Sequence, residues 1–194
     1  MEDRLLGSMR IPAPPEALRV ARALLNLPQR RAAESAGVPH RYLTVVETSV
    51  SRANTNLELV DFYTSKGIEL LGEASIGRTI TRAGARWAAP SSPDVSKGAK
   101  EKFHAEDSRV SFRAARALLN KGQDQIAELA GLSRATVKSL EAGKNWEESH
   151  QTLLSFYESA GVEFTGWGDP VTGKYFGVGV RWNTSRLPDD ESTL

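Results

Sequence analysis

The chain has 194 residues, with 25 Lys and Arg against 24 Asp and Glu and a formal net charge of +1. At roughly 150 residues per domain this length allows one domain or two small ones, and 40% hydrophobic with 25% charged residues is ordinary globular composition. There is no cysteine, which excludes disulfides, thiol catalysis, iron–sulfur clusters and Cys-based zinc sites.

No apolar run approaches the ~18 residues of a membrane span. The opening MEDRLLGSMRIP carries acids and lacks a long apolar core, so it does not read as a signal peptide and a cytoplasmic protein is expected. A charge balance this close to neutral gives no pointer to nucleic acid. Any such reading has to come from local pattern.

In chain order, residues 1–14 are expected to fray. Helices are then predicted near 15–26, 29–36, 39–48 and 55–66, with a hairpin between about 68 and 87. AAPSSPDVSKGAKEKFHAEDS, residues 88–108, is rich in Pro, Ser, Gly and charge and reads as a linker. Ser111 to Asn120 places Phe112, Ala115, Leu118 and Leu119 on one helix face, and Lys121-Gly122 ends it. Gln123 to Ala130 is a second helix with Ile126, Ala127 and Ala130 inward, and Gly131 can supply a left-handed corner.

Ser133 caps a third helix with Val137 and Leu140 inward, and Gly143 stops it. Ser149 starts a fourth, which runs to Ala160 and stops at Gly161. Val162-Glu163-Phe164-Thr165 and Val178-Gly179-Val180-Arg181-Trp182 alternate as strands around the loop GWGDPVTGK. The tail from Thr184 is read as a solvated end.

The two halves repeat. Shifted by 94 residues, Arg19, Arg22, Leu24, Asn26, Gln29, Glu34, Gly37 and Glu47 fall on Arg113, Arg116, Leu118, Asn120, Gln123, Glu128, Gly131 and Glu141. After a one-residue change in length, Gly84-Ala85-Arg86-Trp87 falls on Gly179-Val180-Arg181-Trp182. A duplicated unit predicts two similar domains, 15–87 and 109–183. Because an isolated hairpin is marginal in water, the two hairpins are expected to pair with each other or with another chain.

Gln123 to Leu140 has the helix, glycine turn and helix of a helix-turn-helix. Ala127 lets the two helices approach, and the outer face of Arg134, Ala135, Lys138 and Ser139 is polar or small enough for a major groove. The segment GQDQIAELAGLSRATVKSLEAGK resembles the Cro and phage-repressor (Xre-type) DNA-binding family, over about 60 residues of each unit. The resemblance implies a mainly α fold: two tandem lambda-repressor-like helix-turn-helix domains, each of four helices followed by a β-hairpin. It implies a phosphate contact at Gln123 and, by position, Gln29. Base reading would fall to Arg134, Ala135 and Ser139, with Lys138 beside them. Backbone contacts would fall to Ser133, Thr136, Lys144 and Asn145.

The first unit departs from the pattern. Ala32 stands where Ile126 stands in the second, Pro28 precedes Gln29, and Thr48-Ser49-Val50 replaces Ala-Gly-Lys. Its base-reading candidates are His40, Arg41, Thr44 and Val45, with Arg30, Arg31 and Arg52 toward phosphate. Either this unit reads DNA or it has become a packing partner.

Gly168 to Tyr175 nearly matches a phosphate loop, but Tyr175 stands at the hydroxyl position and a strand follows instead of a helix, so a hairpin loop is expected. His40, His104 and His150 lack ligand spacing. No catalytic constellation, metal site or cofactor is expected. The function expected is a duplex-DNA-binding transcriptional regulator acting as a single-chain pseudo-dimer, with no membrane partner. The alternative is a protein-interaction module, an antiactivator, antitoxin or adaptor, using the hairpin aromatics as its surface.

Overall fold

The computed structural model describes residues 11–49, 52–73, 80–144 and 146–183. The first half contains α1 (Pro15–Leu24), α2 (Gln29–Ala36), α3 (His40–Val46), α4 (Ala53–Ser65), β1 (Ile68–Glu73) and β2 (Thr81–Trp87). The second contains α6 (Phe112–Leu118), α7 (Gln123–Ala130), α8 (Arg134–Glu141), α9 (Glu147–Ser159), β4 (Val162–Gly168) and β5 (Tyr175–Trp182). Between them lie a short helix α5 (Lys97–Lys100) and a short strand β3 (Ala105–Glu106).

Local chemistry explains the helix ends. Proline holds extended backbone at the N-caps of α1, α2 and α3 (Pro14, Pro28 and Pro39). Ser133 Oγ accepts the Thr136 amide at 3.0 Å to cap α8. Gly37 and Gly131 take left-handed φ of 70° and 66° at the two α–α corners, where a side chain would be strained.

The expected mainly α fold of two tandem lambda-repressor-like helix-turn-helix domains, each of four helices followed by a β-hairpin, is overturned. The fold is mixed α/β. Both hairpins enter one five-stranded sheet, in which β2 pairs antiparallel with β5, while β1 and β4 flank them and β3 continues along the β5 edge beside β2. The physical reason is that a two-stranded hairpin buries too little to stand alone, so each uses the other's open edge. The core is likewise continuous. One buried cluster runs from Leu18, Leu43 and Leu59 through Ala85 and Val180 to Leu118, Ile126 and Leu153.

The joint has the register of a twofold. Gly84 faces Arg181, Ala85 faces Val180, and Arg86 faces Gly179. Since Gly84, Ala85 and Arg86 repeat as Gly179, Val180 and Arg181, exchanging the halves leaves the pairing unchanged. A local dyad therefore passes through the Ala85–Val180 pair, as in an isologous dimer interface. α1 packs on α6 across the same axis. Arg19 ties that contact, donating from Nε to the Ala117 carbonyl at 3.0 Å and from its NH2 group to the Leu118 carbonyl at 3.4 Å.

The stretch 88–108 is anchored to the sheet. β3 pairs with β5, Trp87 Nε1 donates to Glu106 at 3.0 Å, and His104 stacks on Trp87 with centroids 3.7 Å apart. Lys100 Nζ reaches the buried Asp169 at 3.1 Å. That carboxylate sits in the β4–β5 loop and also accepts from Thr172 at 2.8 Å. Thr172 first, then Lys100, holds its pKa below the ordinary value. Of the hairpin aromatics, Trp87 is buried and Trp167 packs on Phe176 at 5.1 Å between centroids.

Candidate nucleic-acid interface

Helix periodicity puts Val137 and Leu140 of α8 into the core, at 0% and 4% exposure. The same turn of helix then aims Arg134, Ala135 and Lys138 at solvent. α3 is arranged alike. Leu43 and Val46 are fully buried, and His40, Arg41, Thr44 and Val45 are exposed.

The exposed groups are not all idle. Arg134 Nε lies 3.4 Å from Asp124 of α7, with both side chains well exposed, so the contact is weak and screened. Arg41 donates to the Tyr42 hydroxyl at 3.1 Å and lies over its ring at 4.8 Å, while Arg52 covers the ring at 4.0 Å. These two cations, Arg41 first, lower the Tyr42 phenol pKa. Thr44 Oγ1 donates to the His40 carbonyl at 3.3 Å.

Ser133 and Thr136 form the α8 cap, with their hydroxyls 2.9 Å apart. Ser139 is half-buried and Lys144 exposed, and Asn145 lies outside the described residues. Arg30 and Arg31 are exposed and share Glu34 at 3.3 Å each.

Gln29 and Gln123 begin α2 and α7, and each side-chain amide is already engaged. Gln29 Nε2 donates to Glu47 at 2.7 Å, and Gln123 Nε2 to Glu141 at 2.8 Å. Each of these carboxylates is nearly fully buried, with its side chain 2% exposed, and each also receives a bidentate arginine. Arg22 binds Glu47 at 2.6 and 2.9 Å. Arg116 binds Glu141 at 2.5 and 3.1 Å. Glu141 in turn holds the Arg116 guanidinium more firmly protonated than usual.

Beneath each network lies a buried tyrosine, Tyr63 or Tyr157, whose phenol is pushed up by burial first and by the glutamate second. The network locks the start of α2 or α7 to the end of α3 or α8. Gln29 and Gln123 are therefore held in place before any ligand arrives, each with a second amide hydrogen to offer.

Sequence reasoning named the two glutamines but not the Arg22–Glu47 and Arg116–Glu141 pairs behind them. The signal was present: Arg22, Gln29 and Glu47 recur together as Arg116, Gln123 and Glu141. Among the described residues no helix is long and apolar enough to cross a membrane, and no group of three His, Cys, Asp or Glu is placed to hold a metal. No family model, no curated protein and no solved structure matches the chain.

Proposed function

We propose that the chain is a sequence-specific regulator that binds duplex DNA and presents a reading helix in each half, α3 and α8. The observation that carries this reading is the pair of outward faces. Arg134, Ala135 and Lys138 stand exposed on a helix fixed from beneath by Val137 and Leu140, and His40, Arg41, Thr44 and Val45 stand exposed on its twin. An α-helix fits the major groove, and arginine there takes guanine through O6 and N7. The dyad at Ala85–Val180 supports one chain acting as a pseudo-dimer. Because the two faces differ in sequence, the two half-sites differ as well.

The test is selection from a random duplex library at ~100 mM salt, where non-specific phosphate binding is suppressed. The expected motif has two unlike halves about one helical turn, ~34 Å, apart. One enriched half would remove α3 from the reading face, and no enrichment would overturn the proposal in favour of a protein partner.

On the recovered site, Arg134→Ala is expected to lose ~1–3 kcal/mol and to relax preference at one base pair. Gln123→Ala is expected to weaken all sequences alike. Competition binding with cognate and scrambled duplexes separates the two effects. If neither variant changes affinity, α8 is not the reading helix.

A further inference from the structure

The α1–α6 contact leaves a cleft of about 520 Å³ on the dyad, and its lining is repeated. α1 and the turn after it contribute Arg19, Arg22, Ala23 and Asn26, and α6 and its following turn contribute the equivalent Arg113, Arg116, Ala117 and Asn120. The spacing i, i+3, i+4 is one helix stripe, and the asparagine of the turn that follows, left-handed at φ 53° and 52°, closes each wall, so the same surface is used twice. Lys121 adds a fifth cation, and no carboxylate belongs to the lining among the described residues. Five cations gathered in one concavity repel one another unless an anion joins them.

Two of the five charges are already answered, since Arg22 and Arg116 are paired with Glu47 and Glu141 behind the wall. Among the described residues, Arg19 is hydrogen-bonded to main-chain carbonyls, of Ala117, Leu118 and Glu47. Arg113, its twin, makes one long contact among the described residues, at 3.4 Å to the Glu141 carbonyl. Arg113 therefore keeps most of its five N–H donors available, and a guanidinium fork matches two phosphate oxygens. We infer that this cleft is an anion site that takes a phosphate group between the two halves, with Arg113 and Lys121 as its free donors. The inference goes beyond the DNA-binding reading and does not require it. The phosphate belongs either to a nucleic-acid backbone crossing the dyad or to a free phosphorylated ligand.

The test titrates inorganic pyrophosphate into the full chain at low ionic strength, followed by calorimetry and by phosphorus NMR. Saturable binding is expected, weakened about tenfold or more by Arg113→Gln and again by Lys121→Gln, the loss expected for one charge-assisted hydrogen bond each. Both side chains are half-buried, and thermal melting checks that both variants stay folded. Displacement of pyrophosphate by a random duplex would assign the phosphate to a nucleic-acid backbone. Its retention beside saturating duplex would assign it to a free ligand. Absence of saturable binding at millimolar pyrophosphate, or affinity unchanged in the double variant, would overturn the site even if duplex binding were intact.

Discussion

Glu141→Ala is expected to destabilise the protein by about 3–5 kcal/mol, the usual loss when one partner of a buried ion pair is removed. The Glu141 carboxylate is 2% exposed and accepts two bonds from Arg116 and one from Gln123. Without it, a guanidinium with 22% exposure keeps, among the described residues, the Lys121 carbonyl at 3.3 Å. The penalty is the uncompensated charge more than the lost bonds. Three comparisons test that cause in denaturant unfolding. Glu34→Ala removes an exposed carboxylate from Arg30 and Arg31 and is expected to change stability by less than about 0.5 kcal/mol. Arg116→Met combined with Glu141→Leu removes both charges and is expected to recover most of the loss. Glu47→Ala, in the first half, is expected to behave as Glu141→Ala does. A Glu141→Ala loss below 1 kcal/mol would show that the carboxylate is not what locks α7 to α8.

The same network bears on the proposed DNA contact. Gln123 is held by Glu141, so Glu141→Ala frees the glutamine to rotate as well as destabilising the fold. On the proposed reading, a stable double variant lacking the network would bind every duplex more weakly while keeping its sequence preference. On that reading the preference would come from Arg134 and its exposed neighbours, whose helix is fixed by Val137 and Leu140.

Several parts of this architecture could be read from the chain because their causes are local. A serine cap, a glycine corner and the 3.6-residue spacing of Val137 and Leu140 define α8 and separate its buried side from its exposed one. The alternation of Val178 to Trp182 and the turn residues before it define a strand in the same way. The fold class was not legible by counting elements within one unit. The sheet gains its weight only when β2 meets β5, a pairing between residues far apart in sequence. α5 and β3 were hidden for a similar reason. Four residues and two residues carry no periodicity, and what orders them is distant: Asp169, Trp87 and β5. Gln29 and Gln123 could be singled out by their repeated position, but what they hold could not, because their carboxylate partners lie a full helix away and meet them only on folding.

Gly84→Ala is expected to open the joint between the halves and to cost about 3 kcal/mol or more, at the upper end of overpacking. A Cβ at Gly84 would lie 2.1 Å from the Val180 carbonyl oxygen and 2.5 Å from the Arg181 Cα. One at Gly179 would lie 2.2 Å from the Ala85 oxygen and 2.4 Å from the Arg86 Cα. These neighbours are main chain on the facing strand, so no rotamer change relieves the clash. A glycine inside a strand ordinarily weakens it, and is favoured where two backbones approach closely. Here the dyad puts one such glycine on each strand.

Because both glycines lie in one short ladder, their effects are expected to be strongly non-additive. Once Gly84→Ala has opened β2 from β5, Gly179→Ala adds little. Gly98→Ala, in α5 with open space around its Cβ, is the control and is expected to stabilise by about 0.5 kcal/mol. Equilibrium unfolding of the two single variants and the double variant measures the coupling, and simple additivity would place the strain outside this ladder. With the joint open, α3 and α8 lose the element that fixes their separation. On the proposed DNA-binding reading, a duplex carrying both half-sites would then be bound no more tightly than one carrying the α8 half-site alone, whereas a retained two-site advantage would mean that the α1–α6 contact holds the halves by itself.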